Sequence, residues 1–162
     1  MLAYLIAKFK RPMHMILNRI TAVTMPLMLL LYLFSNTTHA DTYSSQKVVY
    51  HLNYQDDSRI NATFSNMQNH IDALGEDNID LKAVVHGPTI EYFMEATNDS
   101  EKQILLDTLR MQGVQFLICG NTLKGYHVTH LELYEVSPDD VVMAGLPTIV
   151  ELQQQGYFYL RP

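Results

Sequence analysis

Residues 114–122, Val-Gln-Phe-Leu-Ile-Cys-Gly-Asn-Thr, constrain the fold more than any other stretch of the chain. An apolar run of this length, preceded by Gly113, predicts a strand covered on both faces. Gly120, Asn121 and Thr122 follow at once, and these are turn and helix-capping types. The strand therefore hands over to a helix near Thr122, and the handover falls on Cys119, the single cysteine of the chain. In an open α/β sheet that carboxyl edge is where sites are built. Free N–H groups at a helix start would favour the thiolate there. The competing effect is burial, which raises a thiol pKa. The polar neighbours of Cys119 fit the mouth of a site, so an exposed thiol is expected. A lone cysteine also serves as a small buried hydrophobe, and that reading stands beside the reactive one.

Around this stretch the sequence alternates strand and helix signals. Residues 47–53 are rich in β-branched and aromatic types and predict the first strand. A polar loop with Asp56 and Asp57 follows. Ile60, Phe64, Met67, Ile71 and Leu74 recur at spacings of one helix face, and Gly75 closes that helix. Residues 80–88 predict a second strand stopped by Gly87-Pro88. Glu91 to Ala96 suggests a short helical turn. Asn98 or Ser100 suits the cap of a helix over 101–111, with Ile104, Leu105 and Leu109 as apolar positions. Residues 126–140 carry no clear period. Asp140 to Met143 predicts a short strand. Pro147 suits the first turn of a helix ended by Gly156, and residues 157–160 predict a last strand. Five strands alternating with helices imply a mostly parallel sheet with helices on both faces.

Residues 1–40 read differently. Lys8, Lys10, Arg11 and Arg19 form a basic flank, Ile20 to Phe34 is apolar, and Thr38-His39-Ala40 ends on a small residue. Basic, apolar, then small is the order of a secretory signal peptide, with cleavage expected after Ala40. A retained membrane anchor is the alternative. The apolar stretch is 15 residues long, and a span needs about 20. Removal of this segment leaves a domain over 41–162 in the periplasm or secreted, with no membrane contact.

All 17 acidic residues but only 7 of the 11 lysines and arginines lie beyond position 40, so the domain carries a net charge of −10. Such a balance argues against nucleic acid, whose phosphates need a basic face. The one cysteine excludes an internal disulfide, and in an oxidising compartment its thiol is inert, paired with another molecule, or used.

Three predicted strands end in a polar or reactive residue: His51 with Asn53, His86 with Gly87, and Cys119 with Gly120. Parallel strands place their carboxyl ends on one edge, so these residues are expected to converge, with Asn121 and Thr122 beside them. A histidine near a thiol takes its proton, or when protonated stabilises the thiolate. A backbone hydrogen bond is the plainer role for either ring. His127 and His130 lack a third ligand spaced nearby, so no metal is expected. Neither a glycine-rich phosphate loop nor a Gly-x-Ser-x-Gly elbow occurs, and no cofactor is expected. Asn61-Ala62-Thr63 matches a glycosylation acceptor but falls on the predicted helix.

The Val85-His86-Gly87 strand end and the segments 113–116 and 119–123 resemble the DsrE/DsrF-like family of sulfur-handling proteins. So does the tail Leu152 to Pro162, and the resemblance spans nearly all of residues 46–162. It implies a compact three-layer α/β/α sandwich that assembles as a homo-oligomer, trimer or hexamer. It further implies sulfur carried as a persulfide on a cysteine, a role that maps onto Cys119. The expected function is then an exported sulfur carrier or thiol relay. Its partners would be a sulfur donor or acceptor protein in the same compartment. The alternative is a non-catalytic α/β binding or assembly module in which Cys119 is buried and structural. Turnover of a small substrate is not required by either, so whether the chain is an enzyme stays open at this point.

Overall fold

The alternation of signals is realised as a parallel sheet. The computed structural model describes residues 43–162, and the expected leader lies outside them. Strand β1 (Gln46–Leu52) leads into helix α1 (Asp57–Leu74), which returns the chain to β2 (Ile79–Val85). Short helix α2 (Ile90–Glu95) and α3 (Ser100–Met111) precede β3 (Gln115–Cys119), and α4 (Gly120–Tyr126) follows it directly. The remainder is β4 (Val141–Val142), α5 (Gly145–Gln154) and β5 (Phe158–Leu160). The five strands lie in the order β4-β3-β2-β1-β5, and every pairing is parallel.

Alternation along each strand sorts the core into two faces. Val48, Tyr50 and Leu52 of β1, Leu81, Ala83 and Val85 of β2, and Phe116 and Ile118 of β3 point to one side. There they meet the apolar stripe of α1, which is Ile60, Phe64, Met67 and Ile71. An aromatic cluster fills the centre: Phe116 is edge-on to both Phe64 and Phe93, at centroid distances of 5.9 and 5.4 Å. Full burial of each such side chain stabilises the fold by about 1.5–3 kcal/mol. The opposite face carries Val49, Val84 and Leu117, and α5 covers it with Ile149 and Leu152. The expected three layers are present, with α1 and α3 on one side and α5 on the other.

The helix termini follow local chemistry. Asp56 caps α1 by accepting from the Arg59 N–H at 2.9 Å, and Gly75 ends it at φ 82°, a conformation that favours glycine. The next long helix departs from expectation in two ways. Its cap is Asp99, which accepts from the N–H groups of Glu101 and Lys102, rather than Asn98 or Ser100. Its buried positions are Leu106 and Leu109, whereas Ile104 is 65% exposed and Leu105 also faces outward. Three consecutive apolar residues leave the helical phase open, and docking against the sheet selects the pair three apart. Residues 126–140 form two short 3₁₀ turns, His130–Glu132 and Pro138–Asp140. They are pinned by buried Leu133 and Val136 and by the Tyr134 N–H donating to the Phe93 carbonyl at 3.0 Å. At Asn61-Ala62-Thr63, Thr63 is buried and the Asn61 side-chain Oδ1 accepts from the Tyr92 hydroxyl at 2.8 Å.

Strand order explains where a site forms. The chain after β3 turns into α4, whose Leu123 joins the core of the first face. The chain after β4 turns into α5 on the second face, which then crosses to the far edge and delivers β5 beside β1. Adjacent strands β3 and β4 thus send their connections to opposite faces. Such a switch point opens a crevice outside the carboxyl ends.

Candidate functional site

Cys119 ends β3 in this crevice, and α4 begins at the next residue, Gly120, two positions earlier than expected. A cavity of about 390 Å³ opens over it. His86, Asn121 and Thr122 line the cavity from one side, and Ala144, Gly145, Leu146 and Pro147 from the other. The thiol is not exposed as expected. Cys119 is only 6% exposed and forms the floor of the cavity rather than its rim. The cause is the entry into α5, which passes directly over the sulfur.

That passage depends on Gly145. A Cβ there would stand 3.3 Å from Val84 Cγ1 and 3.4 Å from the Cβ atoms of both Cys119 and His86. Only a residue without a side chain lets the backbone come this close. In this position the Gly145 N–H donates to Cys119 Sγ at 3.2 Å. The Thr122 hydroxyl and the N–H groups of Thr122 and Asn121 lie around the sulfur and favour its charged form. Burial pushes the Cys119 thiol up, but these donors together outweigh it and hold the thiol below its ordinary value. The Thr122 side chain is itself oriented, because its oxygen accepts from the Gly87 N–H at 2.9 Å. Gly87 adopts φ 60° to present that N–H.

The histidines act differently from the expectation of a cation beside the thiolate. Burial, the neighbouring His86 and the Arg161 guanidinium lower His51 to about 4. Burial, then Arg161, lowers His86 as well. Both rings are therefore neutral near pH 7 and offer a lone pair or an N–H, not a positive charge.

The expected residues fall into distinct places. Cys119, His86, Asn121 and Thr122 share the cavity. His51, on β1, reaches it through a hydrogen bond between its Nε2 and that of His86. Gly87 acts through Thr122. Gly120 packs under β4, where an added Cβ would meet the Val142 carbonyl oxygen at 3.0 Å. Asn53 is not among the residues lining the cavity; its side-chain Oδ1 accepts from Arg161 Nη2 at 2.6 Å. Reasoning from residue types missed Gly145, Tyr159 and Arg161. Tyr159 bonds His51 Nδ1 at 2.7 Å across the β1–β5 pairing. Gly145, two residues before the helix-starting Pro147, was the one position with a local cue.

Residues 30–162 match the family model described as the DsrE/DsrF-like family. No curated protein is significantly similar to the chain. Among solved structures, the chain resembles the protein of unknown function MTH1491 from Methanobacterium thermoautotrophicum. The two are 29% identical over 73% of this chain and 100% of that one, with a TM-score of 0.63. Strand order, the Cys119 handover and the family match agree: the chain belongs to the DsrE/DsrF-like family.

Proposed function

We propose that the protein is an exported sulfur carrier that holds sulfane sulfur as a persulfide on Cys119. Family membership supports a sulfur-relay role. The observation that carries the finer reading is the Gly145 N–H donating to Cys119 Sγ at 3.2 Å, which with the polar groups of Asn121 and Thr122 favours the thiolate at the floor of an open cavity.

In the loading step the Cys119 thiolate attacks the outer sulfur of a polysulfide or thiosulfate. The new S–S bond forms as the donor's S–S bond breaks, and the electron pair leaves with the shortened polysulfide or with sulfite. In the unloading step an acceptor thiolate attacks the terminal sulfur, and Cys119 departs as thiolate. No external oxidant or reductant is consumed. In the persulfide the negative charge sits on the outer sulfur, about 2 Å beyond Sγ, and the open cavity over Cys119 gives that sulfur room. The donor or acceptor is a protein of the same compartment, and the carrier works as a homo-oligomer, trimer or hexamer. Light scattering giving a monomer mass at micromolar concentration would remove the assembly claim.

The burial of Cys119 favours a second reading, a binding module with a structural thiol. Labelling of the native protein with a small alkylating reagent separates the two. A carrier is labelled at Cys119 without denaturant. A structural thiol reacts only after unfolding.

A further inference from the structure

Residues 141–150 contain no charged side chain, although the domain carries a net charge of −10. Asp139 and Asp140 stand before this run and Glu151 after it. Helix α5 turns Ile149 and Leu152 to the sheet and leaves Leu146 and Val150 outward, one turn apart on the same side. They are 58% and 54% exposed, and Met143, just ahead of the helix, is 87% exposed. Single exposed apolar residues are ordinary, but a contiguous apolar patch with a polar rim marks a contact surface.

The stripe runs into the Cys119 cavity. Leu146 belongs to both, since it lines the cavity together with Ala144 and Pro147. Cys119 forms the floor and is 6% exposed. A thiol on a flat protein surface does not reach a sulfur at that depth, whereas a cysteine at the tip of a protruding segment does. The cavity, about 390 Å³, has room for such a tip, and its lining includes no carboxylate, lysine or arginine. A tip that enters lies against Ala144, Leu146 and Pro147, and the body behind it lands on Met143 and Val150.

We propose that the stripe Met143, Leu146 and Val150 is the docking surface for the protein that exchanges sulfur with Cys119, a partner that presents its cysteine on a protruding, uncharged segment beside apolar side chains and within a basic rim. This rests on the reading of Cys119 as a sulfur carrier. The uncharged cavity sets the character of the segment, because a charged residue there would be desolvated without a counter-ion. The exposed apolar stripe sets the centre of the contact. Asp139, Asp140 and Glu151 at its ends, with the net charge of the domain, set the rim, since an acidic surface steers a basic partner and repels an acidic one. Once docked, the partner's thiolate attacks the outer sulfur of Cys119–S–SH. The new S–S bond forms on the partner, the Cys119 S–S bond breaks, and its electron pair stays on Cys119 as thiolate.

Peptide disulfides test the surface on the purified native protein. Each peptide carries one cysteine bonded to an aromatic thiol. Cys119 thiolate attacks the peptide's cysteine sulfur, the protein–peptide S–S bond forms, and the coloured aromatic thiolate leaves with the electron pair. The first peptide has leucines beside the cysteine and lysines at both ends; the second has serine for leucine, and the third glutamate for lysine. With each rate divided by that of the same peptide with free cysteine, the first should react severalfold faster than either. Added salt should shrink its lead over the glutamate peptide but not over the serine peptide. Met143→Gln with Val150→Gln, both outside the cavity lining, should erase the advantage of leucine. Equal rates for the three peptides overturn the proposal, as does a leucine advantage that survives the double substitution. So does light scattering that shows the double substitution turning an oligomer into a monomer, because a second copy then covers the stripe. Sulfur uptake separates this from the carrier reading. Peptide selectivity without uptake from polysulfide keeps the docking surface and removes the carrier role, whereas uptake without selectivity does the reverse. A native Cys119 that reacts with no peptide and takes up no sulfur removes both.

Discussion

Replacing Gly145 by alanine adds one methyl group at the point where α5 crosses the sheet edge. The new Cβ meets Val84 Cγ1 at 3.3 Å and the Cβ atoms of Cys119 and His86 at 3.4 Å. Ordinary carbon contacts lie at about 3.5–4.0 Å, so each neighbour must give by a few tenths of an ångström. None is the free end of a flexible side chain: two are Cβ atoms on strand ends, and the third belongs to a buried valine. Overpacking of this kind costs about 1–3 kcal/mol. For a domain of this size that is a melting-point loss of about 3–6 °C per kcal/mol. The alternative to strain is that the start of α5 lifts, which lengthens the 3.2 Å contact between the Gly145 N–H and Cys119 Sγ. Cys119 then loses a donor, its pKa rises, and alkylation at neutral pH slows. Thermal unfolding and the pH profile of iodoacetamide labelling read the two effects on the same sample. A Gly145→Ala protein with unchanged melting point and labelling profile would refute the packing argument.

Other consequences are as direct. Thr122→Val removes the hydroxyl that accepts from the Gly87 N–H and favours the Cys119 thiolate. Labelling at neutral pH should fall, and stability should drop by about 1–3 kcal/mol for the unsatisfied donor, measured by urea unfolding; equal labelling would show that Thr122 does not act on the sulfur. His51 should make the fold acid-sensitive. Its folded pKa, about 4, lies below the ordinary 6.5, so the unfolded chain binds the extra proton first as pH falls. Its contribution is therefore complete above pH 6.5 and lost between 6.5 and about 4; His51→Gln should flatten that part of the curve, and a parallel curve would contradict the assignment. For export, the N-terminus of the secreted form should be Asp41; a membrane-bound product retaining Ile20 to Phe34 would mean an anchor instead.

The sheet was legible because strand and helix periods differ and each apolar run is bounded by glycine, proline or capping residues. The convergence of His51, His86 and Cys119 followed from the same logic, since parallel strands share a carboxyl edge. What escaped depends on tertiary placement. The phase of Ile104-Leu105-Leu106 is set by which neighbour meets the sheet, not by the residues themselves. Tyr159 and Arg161 sit over 100 positions from His51 and Asn53, which they bond, and only the insertion of β5 beside β1 brings them there. The depth of Cys119 was misjudged because the segment that buries it, Ala144 to Pro147, arrives from the far side of β4. The charge state of the histidines likewise depends on burial that residue types do not encode.

The most direct test of the carrier role is intact mass. The purified native protein is incubated with polysulfide or thiosulfate and weighed before and after reduction. A gain of one or more sulfur atoms that vanishes on reduction and is absent in Cys119→Ser is the predicted result. A native protein whose Cys119 takes up no sulfur, yet reacts with a small alkylating reagent once unfolded, would contradict it and leave a binding module with a structural cysteine.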